Sequence, residues 1–280
     1  MTISRREVLA GLASAPFAGS LSTAQAATMQ TGDRFDPWLE IDAAAFAGNV
    51  QTISKLAGGR PILAVIKNNA YGLGLTTVAP ILAPRPEIAG FAVVKTAEAI
   101  ALRDAGITKP ILLLGLFAEA DGPELAKRRI QFSVCTDDAA ARIERAGKAA
   151  GVRPEAQLYL DTGMGRMGIP YHRARPVIED TDARAIDVRG TFMGFTESDF
   201  DGEQLRRFRE LTASARDSGA NLGSLHAASS HAVFNLAESH LDMVRPGIAL
   251  FGAYPTNDDA ERRIAPLTPA FRLRARVVRV

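Results

Sequence analysis

The sequence predicts an α/β protein whose body is a (β/α)8 TIM-type barrel, followed by the first strand of a C-terminal β domain. Three observations carry that expectation. Eight short apolar runs recur along the chain. Each is apolar on both faces, as parallel strands covered by helices are. The segments between them repeat their hydrophobic residues with a helical period, and residues 60–260 hold all eight units, a compact version of a fold that takes about 250 residues. A doubly wound open sheet is the rival pattern. No G-x-G-x-x-G follows any run, so that rival lacks its dinucleotide fingerprint.

Taken in order, residues 1–26 read as an export signal. Arg5 and Arg6 precede an apolar stretch from Val8 to Leu21, and Ala24-Gln25-Ala26 offers a cleavage site. Paired arginines before a mild apolar region resemble a twin-arginine signal, which implies a periplasmic protein, with a cytoplasmic one as the alternative. The run contains Gly11, Pro16 and Gly19 and falls short of the ~20 apolar residues that span a bilayer. The barrel is expected over 38–265. Its strands are Ile62–Ile66, Gly90–Val94, Pro110–Leu114, Ile130–Cys135, Gln157–Leu160, Val188–Phe195, Ser224–Ala227 and Asp242–Arg245. Helices are clearest at Ala97–Ala105, closed by Gly106, and at Glu203–Arg216, where Leu205, Phe208 and Leu211 share a face. Beyond Pro266 and Pro269, Phe271–Val277 alternates apolar and charged residues like a strand with one wet face. Residues 266–280 read as the start of an incomplete β domain. Their strand either pairs with Trp38-Leu39-Glu40-Ile41 or has lost a further domain.

Composition narrows the function. With 33 Lys and Arg against 31 Asp and Glu, the formal charge is +2 and no basic tract stands out. A nucleic-acid partner is not expected. At 47% hydrophobic residues, the chain builds a large core. The single cysteine, Cys135, excludes a disulfide scaffold or a cysteine metal cluster. His172, His226, His231 and His240 lack metal-ligand spacing, so no metal is expected and they read as structural histidines. No G-x-S-x-G surrounds Ser230, which argues against a hydrolase. Phe192, Phe195 and Phe200 read as core residues.

The first apolar run leads straight into Lys67, where barrel enzymes place their chemistry. A desolvated lysine becomes a neutral amine, as Schiff-base formation requires. The stretch Ala64-Val65-Ile66-Lys67-Asn68-Asn69-Ala70-Tyr71-Gly72 resembles the pyridoxal phosphate segment of the alanine racemase family. Three more stretches agree in order: Asp161-Thr162-Gly163-Met164-Gly165-Arg166-Met167-Gly168, His226-Ala227-Ala228-Ser229-Ser230, and Val244-Arg245-Pro246-Gly247-Ile248.

That resemblance implies an alanine racemase interconverting L- and D-alanine through a pyridoxal 5'-phosphate aldimine on Lys67, which also serves as the base on one face. Tyr71, Ser230, Gly247 and Ile248 would hold the phosphate. Arg166 would support the phenolic side of the cofactor, and Arg245 would face its pyridine nitrogen. Arginine does not accept a proton from that ring, which favours reprotonation at the α-carbon over transamination. A homodimer is implied. The family's second base is a tyrosine of the partner's C-terminal domain, whereas tyrosines here stand only at 71, 159, 171 and 254.

Departures from the family pattern fall at Gly194, where a histidine packs on the ring, and at Tyr159, where many members carry a lysine. Ser229 replaces an asparagine and Leu73 a histidine. A broad-specificity amino-acid racemase and a catalytically silent cofactor-binding barrel therefore remain alternatives. An aldolase or decarboxylase of the same barrel type is disfavoured by Arg245-Pro246-Gly247-Ile248.

Overall fold

The computed structural model describes residues 37–277. The export signal expected over 1–26 lies outside the described residues, as do 278–280. Pro37–Arg274 form one compact unit.

Seven parallel strands follow one another around the sheet: β2 (Ile62–Val65), β3 (Ile88–Val93), β4 (Ile111–Leu113), β5 (Ile130–Val134), β6 (Glu155–Asp161), β8 (Asp187–Phe192) and β9 (Ser224–His226). A two-residue β7 (Ile169–Pro170) pairs on the end of β6. The eighth position is taken by 242–246, where a strand was expected over Asp242–Arg245 and two parallel bridges are present, Ile62↔Val244 and His226↔Met243. These close the barrel. Leu63 N–H donates to Val244 O at 2.9 Å and Val65 N–H to Pro246 O at 3.0 Å, while Asp242 N–H reaches Leu225 O at 3.0 Å. Pro246 has no N–H to continue the ladder, so the segment cannot run on as a regular strand. The sixth run likewise stops at Phe192 rather than Phe195.

Helices α1 (Ala43–Leu56), α2 (Leu75–Leu82), α3 (Thr96–Asp104), α4 (Gly122–Lys127), α5 (Ala139–Ala150), α6 (Ala174–Asp182), α7 (Asp201–Asp217) and α8 (Ser230–Asn235) alternate with the strands. Their starts follow local chemistry: the Asp42 carboxylate caps α1 by accepting from Ala45 N–H at 2.9 Å. α1 then turns Phe46, Val50 and Ile53 into the core, each worth about 2 kcal/mol of burial.

Trp38–Ile41 stands apart from the barrel sheet. It forms β1 and pairs antiparallel with β10 (Phe271–Arg274), in the register Trp38↔Arg274 to Ile41↔Phe271. This is the first of the two arrangements the sequence left open, and it places the ribbon outside the strand cycle. Asn49 of α1 ties the approach to β10, donating to Leu250 O (3.1 Å) and Thr268 O (2.8 Å) and accepting from Thr268 N–H (2.8 Å). Among the described residues no helix is long and apolar enough to cross a membrane.

Candidate active site

The C-terminal ends of the strands gather the expected residues from four separate segments. Lys67 is half-buried and opens the turn after β2. That turn is left-handed, with φ of 55° at Asn68 and Asn69 and 53° at Ala70 and Tyr71. Asparagine tolerates this conformation; alanine and tyrosine each sacrifice about 1–2 kcal/mol. The surroundings hold it. The Glu98 carboxylate, buried at the start of α3, accepts Asn69 N–H at 2.9 Å together with Val94 and Lys95 N–H at 3.3 and 3.2 Å. The Asn69 side chain accepts Leu75 N–H at 2.8 Å, joining the turn to α2. Glu98 escaped the sequence reading because the partner that ties it to the site, Asn69 N–H, belongs to another unit.

Tyr71 packs edge-on to Phe251 at 5.0 Å. Burial pushes its phenol up to about 12, so it is a hydrogen-bond donor rather than a base at neutral pH. A Cβ at Gly247 would collide with the Tyr71 hydroxyl. The Ser230 hydroxyl accepts Gly247 N–H at 2.9 Å and Ala249 N–H at 3.2 Å, with Ile248 between them. Tyr71, Ser230, Gly247 and Ile248 thus converge in one small cup.

Arg245 is buried. It donates to His226 Nδ1 (2.8 Å), His226 O (2.7 Å), Met193 O (2.5 Å) and Ala227 O (3.2 Å), and lies 5.1 Å over the Phe192 ring. Desolvation brings its guanidinium down to about 10, leaving it charged at neutral pH. His226 is fully buried and its imidazole is held well below its usual range, first by desolvation and then by Arg245. The expectation of a satisfied structural histidine holds for its hydrogen bonds, yet its partner is a site arginine.

Arg166 belongs to the loop after β6 and is exposed. It does not join the contacts that link the cup and Arg245. Its loop is nonetheless well held. The Asp161 carboxylate accepts N–H groups from Gly163 (3.0 Å), Met164 (2.8 Å) and Gly165 (3.1 Å). The Arg207 guanidinium lies over both Tyr171 and Phe200, at 4.8 and 4.9 Å, and donates to Thr162 O at 3.2 Å. Phe200 packs on Gly163 at the surface. It is therefore a loop support, correcting the core assignment, whereas Phe192 and Phe195 are buried.

At Gly194 an added Cβ would sit 3.3 Å from Met164 Sδ and 3.7 Å from the Tyr159 hydroxyl. Tyr159 in turn stacks on Phe192 at 4.4 Å. Two of the four departures from the family pattern are therefore neighbours: the larger residue at 159 leans toward the smaller one at 194.

A closed (β/α)8 barrel with a strand-end lysine, a hydroxyl-and-amide cup and a buried arginine at its C-terminal mouth defines a barrel enzyme with a built polar site. The family model described as "Alanine racemase, N-terminal domain" matches residues 41–255. The alanine racemase of Desulforamulus reducens is 33% identical over 251 residues, covering 87% of this chain and 67% of that protein. The alanine racemase of Clostridium difficile 630, solved in complex with cycloserine, superposes with a TM-score of 0.81 at 29% identity, over 85% of this chain and 67% of that one. A more distant match shares the fold at 23% identity and TM-score 0.74, over 85% and 69%; it is the Bartonella henselae racemase with covalently bound pyridoxal phosphate. The chain belongs to the alanine racemase family, whose members are pyridoxal phosphate-dependent isomerases. It spans about two thirds of the length of these relatives.

Proposed function

We propose that this chain holds pyridoxal 5'-phosphate on Lys67 and interconverts L- and D-alanine. The observation that carries the reading is the cup of Tyr71, Ser230 and Gly247 beside the Lys67 turn, with buried Arg245 two residues from Gly247. The residues present fit a phosphorylated cofactor. The Tyr71 and Ser230 hydroxyls and the backbone N–H of Ile248 supply donors to an anion, Gly247 N–H being held by the Ser230 oxygen, and the missing Cβ at Gly247 leaves room for the Tyr71 hydroxyl. Bound there, the cofactor would act as the electron sink that lets an α-proton leave an amino acid.

The chain's own groups do the rest. The Lys67 amine holds the cofactor and then moves a proton at the α-carbon on one face. Arg245 stays a donor, so it takes no proton from the ring it faces. Arg166 is the residue we assign to the phenolic side of the cofactor, on a loop fixed by Asp161.

A cofactor-binding barrel without racemase turnover is the second reading, favoured by where the tyrosines lie. Tyr71 faces the cup, Tyr254 donates to Ala265 O at 2.9 Å, Tyr171 lies under Arg207, and Tyr159 stacks on Phe192. A homodimer, and export guided by Arg5 and Arg6 to the periplasm, complete the proposal.

The test is the absorption spectrum of the purified chain with pyridoxal phosphate, with and without Lys67→Ala. A Schiff-base band lost in the variant supports cofactor attachment; no band in the native chain overturns it. Polarimetry on L-alanine then separates racemase from binder.

A further inference from the structure

Below Arg245, a line of polar side chains crosses the apolar barrel interior. The His226 Nε2–Gln157 Oε1 distance is 2.6 Å, Gln157 Nε2 donates to Gln131 Oε1 at 2.7 Å, and Gln131 Nε2 donates to Glu155 Oε2 at 3.0 Å. Glu155 begins β6 at the opposite mouth, where its Oε1 accepts from Arg129 at 2.7 and 3.1 Å. Arg189 Nε lies 3.6 Å from its Oε2. Gln131, Gln157 and His226 are all buried. They come from β5, β6 and β9 and meet because β8, which runs between β6 and β9, carries Gly190. A Cβ there would sit 3.0 Å from Gln157 Oε1 and 3.2 Å from its Cδ.

Both ends dictate the direction of this line. Arginine can only donate, so His226 Nδ1 must accept and the ring proton sits on Nε2. Gln157 must then turn its oxygen to His226 and its amide nitrogen to Gln131. From the far end, the Glu155 carboxylate can only accept, which requires Gln131 to present its nitrogen. The two requirements agree at every link, and a chain of donors running one way polarises each member.

We infer that Gln157, Gln131 and Glu155 are positioning residues for the site at the other mouth: their one-way hydrogen bonds fix His226 as the neutral Nε2–H form, keeping its Nδ1 lone pair on Arg245. The inference concerns Arg245 as the group facing the cofactor ring and rests on that reading. A cavity of about 440 Å³ opens beneath Gln131 and Gln157, with Arg189 on its lining, so the end of the line nearest Glu155 lies close to solvent.

Two readouts test it. Imidazole ¹⁵N spectra of the cofactor-free protein, which has four histidines, report the His226 form directly. The native chain shows Nε2 protonated and Nδ1 bare; Gln157→Leu, which removes the acceptor, loses or broadens that signal. Glu155→Gln, at the rim and less exposed to folding failure, weakens it by removing the terminal charge. In the loaded protein both variants shift the bound-cofactor absorption maximum and lower kcat about tenfold with KM unchanged, the pattern of an interaction felt after binding. An unchanged His226 form in both variants overturns the line itself. An altered form with an unchanged absorption maximum overturns its role at the site. Absence of any cofactor band in the native chain would sink the cofactor reading, leaving the imidazole spectra to decide the line.

Discussion

The two mouths of the barrel are built from different material. At the N-terminal mouth, charged side chains are spent on backbone. Arg103 alone donates to Ile107 O (2.6 Å), Lys109 O (2.7 Å), Arg128 O (2.9 Å) and Arg129 O (3.0 Å). Lys109 holds Arg85 O at 2.8 Å and also Ile88 O. At the C-terminal mouth four successive residues, Asn68 to Tyr71, run left-handed, Lys67 is half-buried and Arg166 is exposed. One mouth fastens loops to each other; the other keeps functional groups available at the cost of local strain. Barrels divide stability from chemistry along this axis.

Glu98 is where that division fails, because it braces the strained turn from a buried position. Glu98→Ala leaves three backbone N–H groups without their acceptor and should cost about 4 kcal/mol, read by chemical denaturation, while also weakening cofactor binding. Arg103→Met should cost about 3 kcal/mol in the same experiment, with cofactor affinity unchanged. Equal loss of affinity in the Arg103 variant would erase the contrast between the mouths.

Solution pH probes the interior that joins them. Burial holds His226, and more mildly His240, below the usual imidazole range. As pH falls, the unfolded chain takes up these protons first. Stability should be level above about pH 6.5 and decline below it by up to about 1.4 kcal/mol per pH unit for each histidine. Thermal melts at pH 7.5, 6.5 and 5.5 check the slope. The smallest effect is expected from Tyr71→Phe, which removes only a hydroxyl. Cofactor affinity should fall about five- to tenfold, or about 1 kcal/mol, measured by titration, with little change in melting temperature.

All eight barrel positions were readable as apolar runs, seven of which form strands, because parallel strands under helices lose the alternation that would mark a wet face. The cup residues were readable because each sits in a motif at a strand end. What escaped is instructive. Asn68-Asn69 hints at a left-handed turn, but nothing local explains why Ala70 and Tyr71 continue it; the brace is Glu98, in another β/α unit. Gln131 and Gln157 interrupt apolar runs, a visible anomaly, but their partnership depends on strand positions that only barrel curvature sets. Phe200 was misread because its support of Gly163 depends on how the loop folds back.

The seam at 242–246 has a consequence for assembly. It joins the first barrel strand to the last, so it closes only when nearly the whole intervening chain is in place, the most expensive loop to close in entropy. The cup straddles this joint, with Tyr71 on one side and Ser230 and Gly247 on the other. A phosphate seated there would act as a clasp across the gap, lending its binding free energy to the closed ring.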